Sequence, residues 1–116
     1  MKGNPLRSGH RLAAIAFISG LSIACAARAQ DGRERAVALL HQYKCYVCHA
    51  DSEPKAGPAY ADVAAWYEGV PDAQSSVAAV IRKGAHGGGP WHMPPHPEVS
   101  KADATAMARY ILSVRR

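Results

Sequence analysis

The sequence predicts an all-α fold, and three observations carry that expectation. Apolar residues recur at three- and four-residue spacing in four segments between residues 33 and 114. No run alternates apolar and polar residues as a half-buried strand requires. The third observation is Cys45-Tyr46-Val47-Cys48-His49, a C-x-x-C-H run that directly follows the first periodic segment and suits a turn leaving one helix for another.

The chain has 116 residues, enough for one small domain. Residues 1–29 read as a secretory signal: Lys2, Arg7 and Arg11 form a positive n-region, Leu12 to Ala24 an apolar h-region, and Ala27-Arg28-Ala29 an A-x-A site with cleavage expected after Ala29. The apolar run is too short for a permanent membrane span. Cleavage removes four of the 14 basic residues and none of the nine acidic ones, so the mature domain, residues 30–116, is close to neutral. The clustered basic face that nucleic-acid binding needs is absent from it. Ser22-Ile23-Ala24-Cys25 faintly resembles a lipoprotein site that would acylate Cys25, but the branched Ile23 and the better site downstream favour cleavage after Ala29.

Arg33 to Tyr43 reads as a helix with Ala36, Val37, Leu40 and Tyr43 on its core face, and Asp31 with Glu34 three residues on forms a capping-box pattern. The C-x-x-C-H run follows. Two thiols at this spacing can add to the two vinyl groups on one edge of a porphyrin, and His49 then offers a neutral imidazole as axial ligand to the iron. A thioredoxin-like pair would sit in a βαβ pattern, a zinc site needs a second pair of ligands, and neither of these nor a structural disulfide requires histidine after the second cysteine. The run therefore indicates one haem c, covalently held by Cys45 and Cys48. A domain this small buries a modest core, and an apolar ring at its centre supplies part of what is missing.

Residues 50–58 have loop composition. Pro58 reads first as a turn residue, although its carbonyl could also accept the Nδ1–H of His49. Tyr60 to Tyr67 forms a short helix with Val63, Ala64 and Tyr67 on one side and Trp66 alongside, stopped by Gly69 and Pro71. Asp72 then caps a helix with the stripe Val77, Val80 and Ile81, ending at Gly84. Arg82 and Lys83 in its last turn favour the helix dipole, and either is long enough to reach a haem propionate.

Residues 84–97 carry too much glycine and proline for helix or strand. Met93, bracketed by Trp91 and Pro94-Pro95, is hard to justify as core filling, and flanking prolines would hold its sulfur as a second axial ligand at low entropic cost. His86, His92 and His96 are the competing ligands, and an open iron is the remaining alternative. Ser100 to Val114 closes the chain as a helix, with a Ser100–Asp103 cap signal and the stripe Ala104, Met107, Ala108, Ile111 and Val114. Met107 on that stripe reads as core, and the small Ala104 and Ala108 admit the first helix closely.

Taken as an ordered set, Cys45-x-x-Cys48-His49, Gly57-Pro58-Ala59-Tyr60-x-Asp62-Val63-Ala64, Ile81-Arg82-x-Gly84, Met93-Pro94-Pro95 and Tyr110-Ile111-Leu112 make residues 44–116 resemble the short monohaem class I cytochromes c of the bacterial periplasm, the five-fifty-one/five-fifty-two type. The resemblance implies a class I cytochrome c fold of four to five short helices around one haem, His49 and Met93 as axial ligands, and the Pro58 carbonyl on His49. It also implies haem contacts from Arg82 and from Trp91. The Met loop departs from the family: its tryptophan usually lies several residues before a Pro-Met pair, whereas Trp91 stands two before Met93 and His92 replaces the proline.

An iron with two protein ligands has no open position for substrate, so the expected function is one-electron transfer between periplasmic redox partners, not catalysis. The expected state is a monomer or transient complexes. A cytochrome subunit of a periplasmic dehydrogenase is the nearest alternative. A haem sensor or peroxidase-like protein would need a displaceable sixth ligand from the histidine-rich loop.

Overall fold

A computed structural model describes residues 19–86 and 92–116. In chain order the elements are α1 (Ser19–Gln42), a 3₁₀ turn (Cys45–Val47), α2 (Tyr60–Trp66), α3 (Ala73–Lys83), β1 (Ala85–His86), β2 (His92–Met93) and α4 (Lys101–Ser113). The four helices stand where the apolar stripes place them, which is the expected all-α class.

The first helix begins far earlier than its capping pattern suggests. Ala24 to Ala29 are strong helix formers and Gly32 alone does not stop them, so α1 runs straight through Asp31. Inside a helix no orphan amide remains for Asp31 to cap. The expected cleavage point after Ala29 lies within α1, and the first 18 residues of the expected signal lie outside the described residues.

The core joins all four helices. Ala36, Leu39 and Leu40 of α1, Tyr60 and Ala61 of α2, and Val77, Ala78 and Ile81 of α3 bury with Ala104, Met107, Ala108, Ile111 and Val114 of α4 and its flank. Ala104 and Ala108 are fully buried, as close approach of α1 requires, and Met107 is core. Trp66, alongside the apolar side of α2, lies 65% exposed.

At α4 the cap is as read, with Ser100 Oγ accepting the Asp103 amide at 3.0 Å. Asp103 also accepts the Tyr43 hydroxyl at 3.0 Å and Arg35 Nη2 at 3.3 Å, which ties the start of α4 to the end of α1. The Tyr43 hydroxyl first, then Ser100 and Arg35, hold the Asp103 carboxyl below its usual range despite some desolvation. A depressed carboxylate contributes stability above its unfolded value of about 4 and loses it as pH falls through the lower folded value. In Asp103→Asn the part of the acid-induced stability loss that this group causes, which sets in as pH falls below about 4, is expected to disappear, as read from denaturation midpoints measured at falling pH.

Asp72 starts α3 but does not cap it. It sits in the left-handed region with φ 56°, whereas side-chain capping uses an extended residue, and its carbonyl accepts the Ser75 hydroxyl at 2.9 Å instead. Gly84, with φ 78°, ends α3 as expected. Beyond it the structure corrects the reading of residues 84–97 as free of strand: β1 and β2 pair antiparallel, with Ala85 opposite Met93 and His86 opposite His92. Two-residue strands are too short to show a period of two. No helix among the described residues is long and apolar enough to cross a membrane.

Candidate haem-binding site

The cysteines are placed by a sharp exit from α1. Lys44 takes a left-handed conformation with φ 59°, and its amide bonds the His41 carbonyl at 3.0 Å. The Cys48 and His49 amides then return to the Cys45 carbonyl at 3.1 and 3.0 Å. In a 3₁₀ turn side chains three residues apart eclipse, so Cys45 and Cys48 project to one side. Both are free thiols. Cys45 is half-buried against the core, and burial pushes its thiol up, while Cys48 is exposed.

His49 is held from three directions. Its Nδ1 lies 2.8 Å from the Pro58 carbonyl. A carbonyl only accepts, so Nδ1 carries the proton and Nε2 of the neutral ring is left with its lone pair. Beneath the ring, a Cβ on Gly57 would stand 2.8 Å from Nδ1 and closer still to Cε1, so only glycine fits there. On another side Tyr60 stacks at 5.3 Å between ring centroids and 20° between planes. The loop that brings Gly57 and Pro58 into place is pinned by main-chain bonds from Gly57 to the Cys48 carbonyl (2.7 Å), Tyr60 to Ala50 (2.9 Å) and Ala61 to Asp51 (2.9 Å).

A second support had no signal in the sequence. Asp51 Oδ1 accepts the Tyr46 hydroxyl at 3.1 Å and Oδ2 accepts the Tyr110 hydroxyl at 2.5 Å, which fastens the residue between the two cysteines to α4. Arg33 lies over the Tyr110 ring, 4.9 Å from its centroid. Burial, with the neighbouring carboxylate, raises both tyrosines above their ordinary value, so they stay neutral donors. Asp51 looked like one polar residue in a polar loop, and its partners lie 5 and 59 positions away.

Met93 is the inward residue of β2, half-buried and packed against the core. Gly84 admits its backbone: a Cβ there would meet the Met93 carbonyl at 2.5 Å. His86 and His92 have the opposite parity and are exposed. His96 Nδ1 lies 3.1 Å from Glu98 Oε1. Arg82 donates from Nε to the Val99 carbonyl at 2.9 Å, and its own carbonyl accepts the His96 amide at 3.1 Å, so it braces the segment leading away from Met93. Trp91 lies outside the described residues.

These residues fit a haem c. Two thiols on one face of a turn, an imidazole nitrogen freed by a fixed tautomer, and a thioether on a half-buried strand form the N and S donor set that such iron takes. Tyr60, stacked on His49, adds an independent sign: its hydroxyl is buried without a hydrogen-bond partner among the described residues, a costly state for a purely structural tyrosine.

Comparison with known proteins points the same way. The cytochrome c family matches residues 34–115. Over 79 residues the chain is 43% identical to cytochrome c-552 of Hydrogenobacter thermophilus, covering 66% of this chain and 79% of that protein. Over 76 residues it is 40% identical to cytochrome c-551 of Pseudomonas aeruginosa, covering 65% and 72%. The crystal structure of Nitrosomonas europaea cytochrome c552 superposes with a TM-score of 0.65 at 38% identity, covering 68% of this chain and 99% of that one. With the helical fold, the paired thiols and the clamped histidine, these likenesses place the chain in the cytochrome c family, as a small monohaem class I electron carrier with one haem c attached through Cys45 and Cys48.

Proposed function

We propose that the protein is a periplasmic one-electron carrier in which His49 Nε2 and Met93 Sδ would hold the haem iron. The observation that carries this reading is the His49 clamp, with Nδ1 on the Pro58 carbonyl at 2.8 Å and Gly57 beneath the ring. A fixed tautomer and ring orientation keep the ligand nitrogen aimed in both oxidation states. The bound haem supplies an iron that alternates between ferrous and ferric states.

Each residue then has a task. Cys45 and Cys48 would anchor the ring to the turn, Pro58 orients His49 through its carbonyl, and Met93 would supply the second ligand, favouring the reduced state relative to a second imidazole. Arg82, fixed through Nε on Val99, supplies a cation for a propionate. The half-burial of Met93 and the exposure of His86 and His92 support the thioether over those histidines. With both ligands engaged no position is left for a substrate, which supports a carrier over an enzyme. Docking to redox partners would use the apolar rim beside Cys48, where Val47 is 68% exposed.

Export follows from the signal pattern of residues 1–29. After cleavage Gln30 begins the helix and Asp31 stands in its first turn, where a carboxylate favours the dipole. The likeness to c-551 and c-552 proteins over most of the mature domain favours a free carrier over a dehydrogenase subunit or a haem sensor. Mixing the reduced protein with carbon monoxide tests the closed site: the expected spectrum is unchanged on mixing, and prompt uptake would overturn the reading.

A further inference from the structure

We propose that the outer face of the β1–β2 ladder is a second metal site, taking a divalent transition-metal ion such as zinc on the imidazoles of His86 and His92. The register sets these residues directly opposite one another, and opposed residues of an antiparallel pair have Cβ atoms only about 4.5–5.5 Å apart. Their rings face each other with centroids 5.8 Å apart and planes 23° from parallel.

That spacing is close to what chelation asks. Zinc binds imidazole nitrogen at about 2.0–2.1 Å, so two imidazoles on one tetrahedral ion have centroids about 5 Å apart. Both side chains are exposed, so each ring is free to turn about its own torsions toward a shared ion. Neutral imidazole is a good ligand for zinc, nickel and copper ions alike.

The site is distinct from the haem. Successive residues of a strand face opposite ways, so His86 and His92 share the solvent side while Ala85 and Met93 share the half-buried side. Among the described residues no group of three or more His, Cys, Asp or Glu side chains is placed to hold a metal. The ion therefore has two protein ligands and water in its remaining positions, and it exchanges with solvent instead of serving as a structural staple. Its effect on the fold is to cross-link β1 to β2, the strand that carries Met93.

Calorimetric titration of the ferric holoprotein with zinc chloride tests this, because zinc is redox-silent and the haem spectrum reports folding in the same sample. The expected result is saturable uptake of one ion per chain, weakened at least about tenfold in His86→Ala and in His92→Ala and unchanged in His96→Ala. His86→Ala carries the test on its own should the change next to Met93 disturb the haem spectrum. Absence of saturable uptake by the native protein, or uptake undiminished in His86→Ala, would overturn the proposal.

Discussion

Met93→Ala is expected to lower the reduction potential by on the order of 0.1 V and to let the ferrous protein take up carbon monoxide on mixing. The sulfur is a soft donor that favours ferrous iron, and alanine cannot replace it. Met93 sits on a two-residue strand paired with β1, and Gly84 lets the backbone of Met93, Pro94 and Pro95 pack closely against it, so truncating the side chain should open the iron without dismantling the fold. Potentiometry and rapid mixing both report the change. A variant with native potential that remains inert to carbon monoxide would remove Met93 from the site and return the sixth position to a histidine.

Gly57→Ala has the second large effect. Its methyl group would press on the His49 ring at 2.8 Å from Nδ1 and nearer to Cε1, and the ring cannot retreat without stretching its 2.8 Å bond to Pro58. Overpacking of this kind costs about 1–3 kcal/mol. Here part of that cost falls on the ligand itself. Denaturant unfolding of the holoprotein should show the loss, and the Nδ1 proton of His49 should exchange with solvent faster than in native protein. A fully native midpoint and exchange rate would show that the ring is not confined as described.

Much of this arrangement was legible in the sequence because it rests on local rules. The stripe on α4, the Ser100 cap and the stop at Gly84 each depend on residues within a turn or two and stand where the spacing put them. On α3, by contrast, Ala78 is buried beside Val77 and Ile81 in place of the expected Val80, and on α2 Tyr60 and Ala61 are buried with Ala64 while Val63 and Tyr67 are only partly so. The donors of the haem motif are adjacent in sequence, so their chemistry was legible before any packing was known. The start of α1 was misread because a capping pattern at Asp31 competes with an alanine-rich segment that simply continues the helix. Asp72 failed as a cap because a left-handed backbone turns its side chain away from the amides it would serve.

What escaped the sequence depends on distant pairs. Asp51 acquires its role only when Tyr110 arrives from the far end of the chain, and Gly57 acquires its role only when the His49 ring lies over it. The ladder of residues 85–86 and 92–93 is too short for periodicity to reveal, yet it decides which of Met93 and the neighbouring histidines faces the core. That parity also separates the thioether from the two imidazoles proposed to hold a second ion.

The central claim, an iron closed by His49 and Met93, is tested most directly by the absorption spectrum of the ferric native protein. A weak long-wavelength band from sulfur coordinated to ferric iron is predicted, and it should vanish in Met93→Ala. A native spectrum without that band, or a band that survives the substitution, would contradict the account.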